Sequence, residues 1–220
     1  MVNSIKQTPS VNKNTYIGIS LVALSTLMYE ILLTRIFSVT MGYHFAFMAV
    51  SLAMFGMTAG AIIVYIFANR FPQEKLNTIL SRQAFYFSLS TILSFLFHVF
   101  VPFLHSTSAM GIFITVFTYT EISVPFVFSG ICISLLLTRF PDSVNRLYAA
   151  DLIGASLGCI LVVIVLNVSG GPTGVIITAF VSALAALFFL NNAGAAGKVK
   201  KILVFYTIVI ALFSIYNTIL

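Results

Sequence analysis

The chain has 220 residues, 60% of them apolar and only 7% charged, against about 25% charged in an ordinary soluble domain. With a mean hydropathy of +1.10, this composition excludes a water-soluble globule and a disordered chain. The net charge of +6 comes from scattered cations that build no basic face, so a nucleic-acid binder is excluded too. What remains is an integral membrane protein forming a single domain over residues 1–220.

A spanning helix needs about 20 apolar residues. No Asp, Glu, Lys or Arg lies between Arg35 and Arg70, or between Asp151 and Lys198. The pattern predicts an all-α polytopic bundle of about seven transmembrane helices, near 16–37, 44–68, 84–104, 111–137, 147–168, 173–191 and 202–219. The breaks have local causes. Pro72 lies in the polar run 69–77, and Pro141-Asp142 follows Arg139. Gly170-Gly171-Pro172 reads as a tight turn, and Asn191-Asn192 with Gly194 and Gly197 ends the sixth span. A β-barrel would show short alternating segments, whereas these runs are continuous. The first span is too long for a signal peptide, lacks a small-x-small cleavage site, and carries Glu30 and Arg35.

Every Lys and Arg except Arg35 falls before span one or between spans two and three, four and five, or six and seven. The positive-inside rule places those segments in the cytoplasm. The expected topology has the N-terminus inside and the C-terminus outside, in a bacterial-type inner (plasma) membrane.

Small residues pack helices in lipid, where no hydrophobic drive holds them together. Gly56 and Gly60 share a face of span two, and Gly154 and Gly158 share a face of span five. Each stripe serves either homodimerisation or packing within one bundle. Pro102 and Pro125 are expected to end or kink spans three and four. Cys132 and Cys159 have no CxxC spacing and read as small apolar residues, with neither a disulfide nor a metal site expected.

Ionisable groups inside spans are costly and usually face partners in the bundle interior. An outer group holds Glu30, Arg35, His44 and Glu121, with His98 and His105 nearby. At 1.5 Å per residue, Glu30 lies roughly 10 Å and Glu121 roughly 15 Å from the outer ends of their helices. They form a candidate polar site for a proton or cation, with pairing of Glu30 and Arg35 as the structural alternative. An inner group holds Arg139, Arg146 and Asp151, and reads as a charge clamp between spans four and five. His44 with His98 is the candidate bis-histidine pair for a haem, which otherwise finds no support; no other cofactor and no metal is expected. Phosphate-loop, dinucleotide-binding, nucleophile-elbow and zinc-protease motifs are missing, and the seventh span has no lysine for a retinal Schiff base.

Three stretches carry a family resemblance. Tyr29-Glu30-Ile31-Leu32-Leu33-Thr34-Arg35 resembles the first-helix motif of the membrane region of spermidine-synthase-like membrane proteins. Tyr43-His44-Phe45-Ala46-Phe47 with 51–56 resembles their second helix. Residues 125–130, followed by Arg146 to Gly158, resemble the fourth and fifth. In that family a multi-helix membrane region commonly precedes a Rossmann-type domain similar to polyamine aminopropyltransferases. The resemblance implies that Glu30, Arg35, His44, Arg146 and Asp151 match motif positions. This chain ends in an apolar run at Leu220 before any such domain, so catalysis is not expected of it.

Two functions follow as expectations. One is a helical module, surrounded by lipid, that serves as scaffold or partner subunit of a larger membrane complex or of a spermidine-synthase-like enzyme. The other is a small secondary transporter of a cationic or small metabolite, using the intramembrane carboxylates.

Overall fold

The computed structural model describes residues 11–100, 109–191 and 197–219, apart from the side chains of His44 and Ile219. Lys6, Pro102, His105, Asn192 and Gly194 fall outside them. Among the described residues six helices are long and apolar enough to cross a membrane. They are α1 (Lys13–Thr40), α2 (Ala46–Ile66), α3 (Leu76–Phe100), α4 (Ala109–Arg139), α5 (Val144–Asn191) and α6 (Gly197–Ile219), and short 3₁₀ turns lead into α2, α3 and α5. Helix is the form that satisfies every backbone N–H and C=O without water, which suits long apolar runs.

Two boundaries differ from the sequence reading. Helix α3 begins at Leu76, because Arg82 sits on an exposed face near the helix start, where a long cationic side chain extends to the interface at little cost. The expected turn at 170–172 is a single non-helical residue inside α5: Gly170 has φ 77 and ψ 179, a conformation in which a Cβ would be strained. Pro172 follows within the first turn of the second arm, where its missing N–H has no helical acceptor to lose.

The break folds α5 back on itself. In its first arm Gly154 lies on the backbone of Ser20 and Gly158 on that of Leu24, so this arm runs parallel to α1. In its second arm Gly174 meets Leu32 and the ring of Phe189 meets Gly18, so that arm runs antiparallel to α1. A second set of close approaches joins α2 to α4. Gly56 faces Ser123 and Phe126, Gly60 faces Val127 and Ile131, and Gly130 faces the backbone of Met57. Both glycine stripes thus lie in contacts within the chain.

Hydroxyl groups tie the remaining seam. Ser81 donates to the carbonyl of Ala186 at 2.8 Å, Ser182 to that of Ala84 at 2.9 Å, and Ser88 to that of Ala179 at 2.6 Å. These bonds hold α3 antiparallel to the second arm of α5. Thr26 on α1 and Ser129 on α4 are also hydrogen-bonded. Two apolar clusters fill the interior. One contains Ile19, Leu80, Leu135 and Phe189, and the other contains Met28, Leu32, Phe87, Phe126 and Val175.

All described cations except Arg35 gather at the end of the bundle where α1, α3 and α6 begin. There the guanidinium of Arg139 donates to the carbonyl of Ala68 at 2.7 Å, and the Gln73 amide donates to the carbonyl of Arg139 at 3.2 Å. The opposite end holds Thr40, His98 and the Gly170 break.

A Cβ on Gly154 would overlap the main chain of Ser20, which cannot yield as a flexible side chain can. Gly154→Val is expected to cost about 3 kcal/mol or more, read as lost thermal stability in mild detergent. Gly197→Ala, with open space around its Cβ, should stay within about 0.5 kcal/mol.

Candidate functional site

A cavity of about 710 Å³ opens at the cation-poor end, between the last turns of α1, the end of α3 and the break in α5. Its size lies in the range of small-molecule sites, about 300–1,000 Å³. Arg35, Ile36 and Thr40 line it from α1, Phe95 and His98 from α3, and Leu166 from α5, with Gly171 and Pro172 beside the break. Most of the wall is apolar. Its polar groups are the Arg35 guanidinium, the Thr40 hydroxyl and the His98 imidazole. No carboxylate lines it among the described residues.

The sequence explains this local arrangement. Thr40 ends α1 four residues after Ile36, so its hydroxyl reaches back to the Ile36 carbonyl at 2.9 Å. The same oxygen lies 3.0 Å from Nε2 of His98. Because the hydroxyl has one hydrogen and gives it to Ile36, the contact with His98 is made by the imidazole Nε2–H donating to Thr40. The ring packs against Phe37 with centroids 5.3 Å apart. His98 is 9% exposed, and its Nδ1 is buried with no hydrogen-bond partner.

On its other side His98 borders a narrow cleft with Phe97, Phe117, Thr118 and Glu121. Deeper in the bundle the Tyr29 hydroxyl, on a ring stacked against Phe126 at 5.3 Å, lies by Ser94. Tyr29 Oη and Ser94 Oγ are both buried without a well-formed hydrogen bond. Buried polar atoms are ordinarily satisfied by protein or by ordered water, so this is a pocket of unsatisfied polarity between α1, α3 and α4.

The predicted site residues separate. Arg35 reaches the cavity. Glu121 lies in the cleft behind His98. Glu30 is half-buried and lines neither. The expected pairing of Glu30 with Arg35 does not form: five residues at about 100° each set the two side chains roughly 140° apart around α1, and neither has an ion-pair partner among the described residues. The side chain of His44 lies outside the described residues, and Nε2 of His98 is already engaged by Thr40, which leaves the haem pairing without a second ligand to describe. The inner clamp is open. Arg139 is turned to Ala68, Arg146 is exposed, and Oδ1 of Asp151 is buried without a partner. Cys132 is buried and Cys159 exposed, and both are free thiols. No group of three or more His, Cys, Asp or Glu able to hold a metal occurs among the described residues.

Sequence reasoning overlooked Tyr29, Thr40 and Ser94. Thr40 carried a readable signal, since a hydroxyl closing a helix four residues after a small turn of apolar residues regularly bonds backwards. Tyr29 and Ser94 carried none, because only the packing of three helices brings them together.

No family model matches the sequence, and no curated protein or solved structure is similar to it.

The His98–Thr40 contact ties the end of α3 to the end of α1. A cycle built from Thr40→Val and His98→Phe should show a coupling of about 0.5–1.5 kcal/mol in detergent unfolding. A coupling near zero would mean that the contact does not hold the rim together.

Proposed function

We propose that this chain is a seven-span membrane bundle that binds a small molecule at its outer end and carries it as a secondary transporter. The single observation behind this reading is the cavity of about 710 Å³ with three polar side chains in an otherwise apolar lining. Counting the two arms of α5 as separate crossings gives seven. The gathering of cations at the other end supports a cytoplasmic N-terminus, an outer C-terminus and a plasma-membrane setting. Below the cavity the apolar cluster around Ile19, Leu135 and Phe189 seals the inner half, as expected of a carrier open to the outside. The resemblance to the membrane region of spermidine-synthase-like proteins is retained as part of the proposal.

A second reading, a scaffold or partner subunit of a membrane complex or of such an enzyme, draws on α6. That helix packs on α5 while turning Phe205, Leu212, Phe213 and Tyr216 outward. The glycine stripes do not serve it, because the chain's own helices fill them.

In a Cys132→Ser, Cys159→Ser background, Ile36→Cys should react with a membrane-impermeant maleimide from the outside of oriented vesicles, and Lys75→Cys from the inside. Ala185→Cys, sealed in the inner cluster, should react slowly from the inside, at a rate that drops several-fold once the cavity is filled. An unchanged rate would leave a binding module and remove the carrier.

A further inference from the structure

We infer that Glu121 is a proton-binding site of this bundle, and that the His98 side chain, held by Thr40, is the partition across which it exchanges that proton with the outer-end cavity. The inference rests on the reading of the cavity as the outward-open site of a carrier and adds the coupling ion to it.

The carboxyl stands alone in an apolar place. Glu121 lies about three turns inside α4, and its side chain is half-buried. It has no ion-pair partner among the described residues. The rest of its cleft is made by Phe97, His98, Phe117 and Thr118, with no Lys or Arg among them. An ionised carboxylate at such a place in a membrane is costly, whereas a carboxyl that holds its proton is neutral and can donate a hydrogen bond. The main chain weighs on the same side. Pro125 has no N–H, so the carbonyl of Glu121, four residues earlier, lacks its helical donor.

The neighbouring helices bring no compensating charge. On α1, Arg35 lines the cavity and not the cleft, and Glu30 lines neither. The Tyr29 phenol lies by Ser94. On α3 the titratable neighbour is His98. Residues 46–64 of α2 include no ionisable side chain, and Arg146 and Asp151 of α5 belong to its cation-rich end.

The size of the cleft selects the ion. It has no room for a water-sized body. Its oxygens are one carboxyl and the Thr118 hydroxyl, which donates to the Ile114 carbonyl at 2.8 Å. A metal cation needs space and several oxygen ligands. A proton needs neither.

The route follows from the walls. Phe97 and Phe117 are exposed on the outside of the bundle, where hydrocarbon offers a proton no acceptor. His98 lines both the cleft and the outer cavity, and its Nε2–H donates to Thr40 at 3.0 Å. When the ring moves aside, the Glu121 carboxyl gives its proton to water in the cavity and is left as carboxylate, or takes one back.

The test uses the full chain in oriented phosphatidylcholine vesicles, with adducts located by peptide mass spectrometry. Dicyclohexylcarbodiimide, an apolar reagent that adds to carboxyls holding their proton, is expected to modify Glu121 rapidly at acid pH and more slowly as the pH rises. An impermeant carbodiimide with an amine nucleophile, added outside, should modify Glu121 several-fold faster in His98→Ala and in Thr40→Val than in the unsubstituted chain. His98→Phe, which keeps a ring in place, should stay slow. Glu121→Gln, an analogue of the neutral carboxyl, should keep the thermal stability of the parent. In the Cys132→Ser, Cys159→Ser background, inside maleimide labelling of Ala185→Cys at fixed inner pH should change several-fold with outer pH, and Glu121→Gln should abolish that response.

If the apolar reagent spares Glu121 at every pH while modifying other carboxyls, the proton site is overturned. Equal rates with the impermeant reagent in the parent and in His98→Ala would overturn the partition. A pH-insensitive Ala185→Cys, with Glu121 still modified, would leave the proton site and remove its coupling to the carrier.

Discussion

The close approach of α1 and α5 is the constraint on which the rest of this bundle depends. In lipid, two apolar helices gain nothing by leaving hydrocarbon for each other, so association must come from tight van der Waals contact and hydrogen bonds. Gly154 and Gly158 bring the first arm of α5 onto the backbone of α1 at Ser20 and Leu24. The second arm returns along the same helix, past Leu32 to Gly18. Helix α1 is thereby clasped on two sides, and its Ile19, Val22, Met28, Leu32 and Phe37 are fully buried. The hydroxyl bonds from Ser81, Ser88 and Ser182 then fix α3 to the returning arm. Each uses a small polar side chain and a neighbouring helix's carbonyl, at little cost in helix spacing.

The cavity is a consequence of that clasp. Because α5 reverses at one residue, its two arms diverge from a point and do not fill the end of the bundle. Gly171 and Pro172, beside the break, have little side chain to offer. Gly171 lies 3.6 Å from Ile36 at the nearest atom of an added Cβ. The space left over is bounded by the ends of α1 and α3, which the Thr40–His98 contact keeps together. A structural solution to chain reversal in lipid thus leaves a concave surface at this end of the bundle.

The elements written in single residues or short spacings were legible in the sequence. The apolar runs give helices, the Gly-Gly-Pro sequence gives the reversal, and the paired glycines give close contacts. What the sequence did not disclose was direction around each helix. Glu30 and Arg35 sit at compatible depths, yet they point roughly 140° apart, so shared depth did not make a shared site. Tyr29, adjacent to Glu30, carries the polar atom that lies by Ser94. The clamp of Arg139, Arg146 and Asp151 failed for a related reason. Arg139 ends α4, where the nearest unsatisfied acceptor is the Ala68 carbonyl in the turn after α2, and a backbone oxygen at hand outcompetes a carboxylate on the next helix.

Depth and direction together also decide which charges a ligand meets. Intramembrane carboxylates in a sequence invite the idea of a cation site, and Glu30 and Glu121 supply two. His98 lines both the open space and the cleft that holds Glu121, and Glu30 lines neither. What the space does meet is Arg35, whose position one and a half turns before the end of α1 lets a long side chain reach the boundary while its stem packs on apolar wall. Among the described residues that line the space, Arg35 carries the permanent charge and no carboxylate offsets it. The His98 ring lines both spaces and so stands between the cavity and the cleft that holds Glu121.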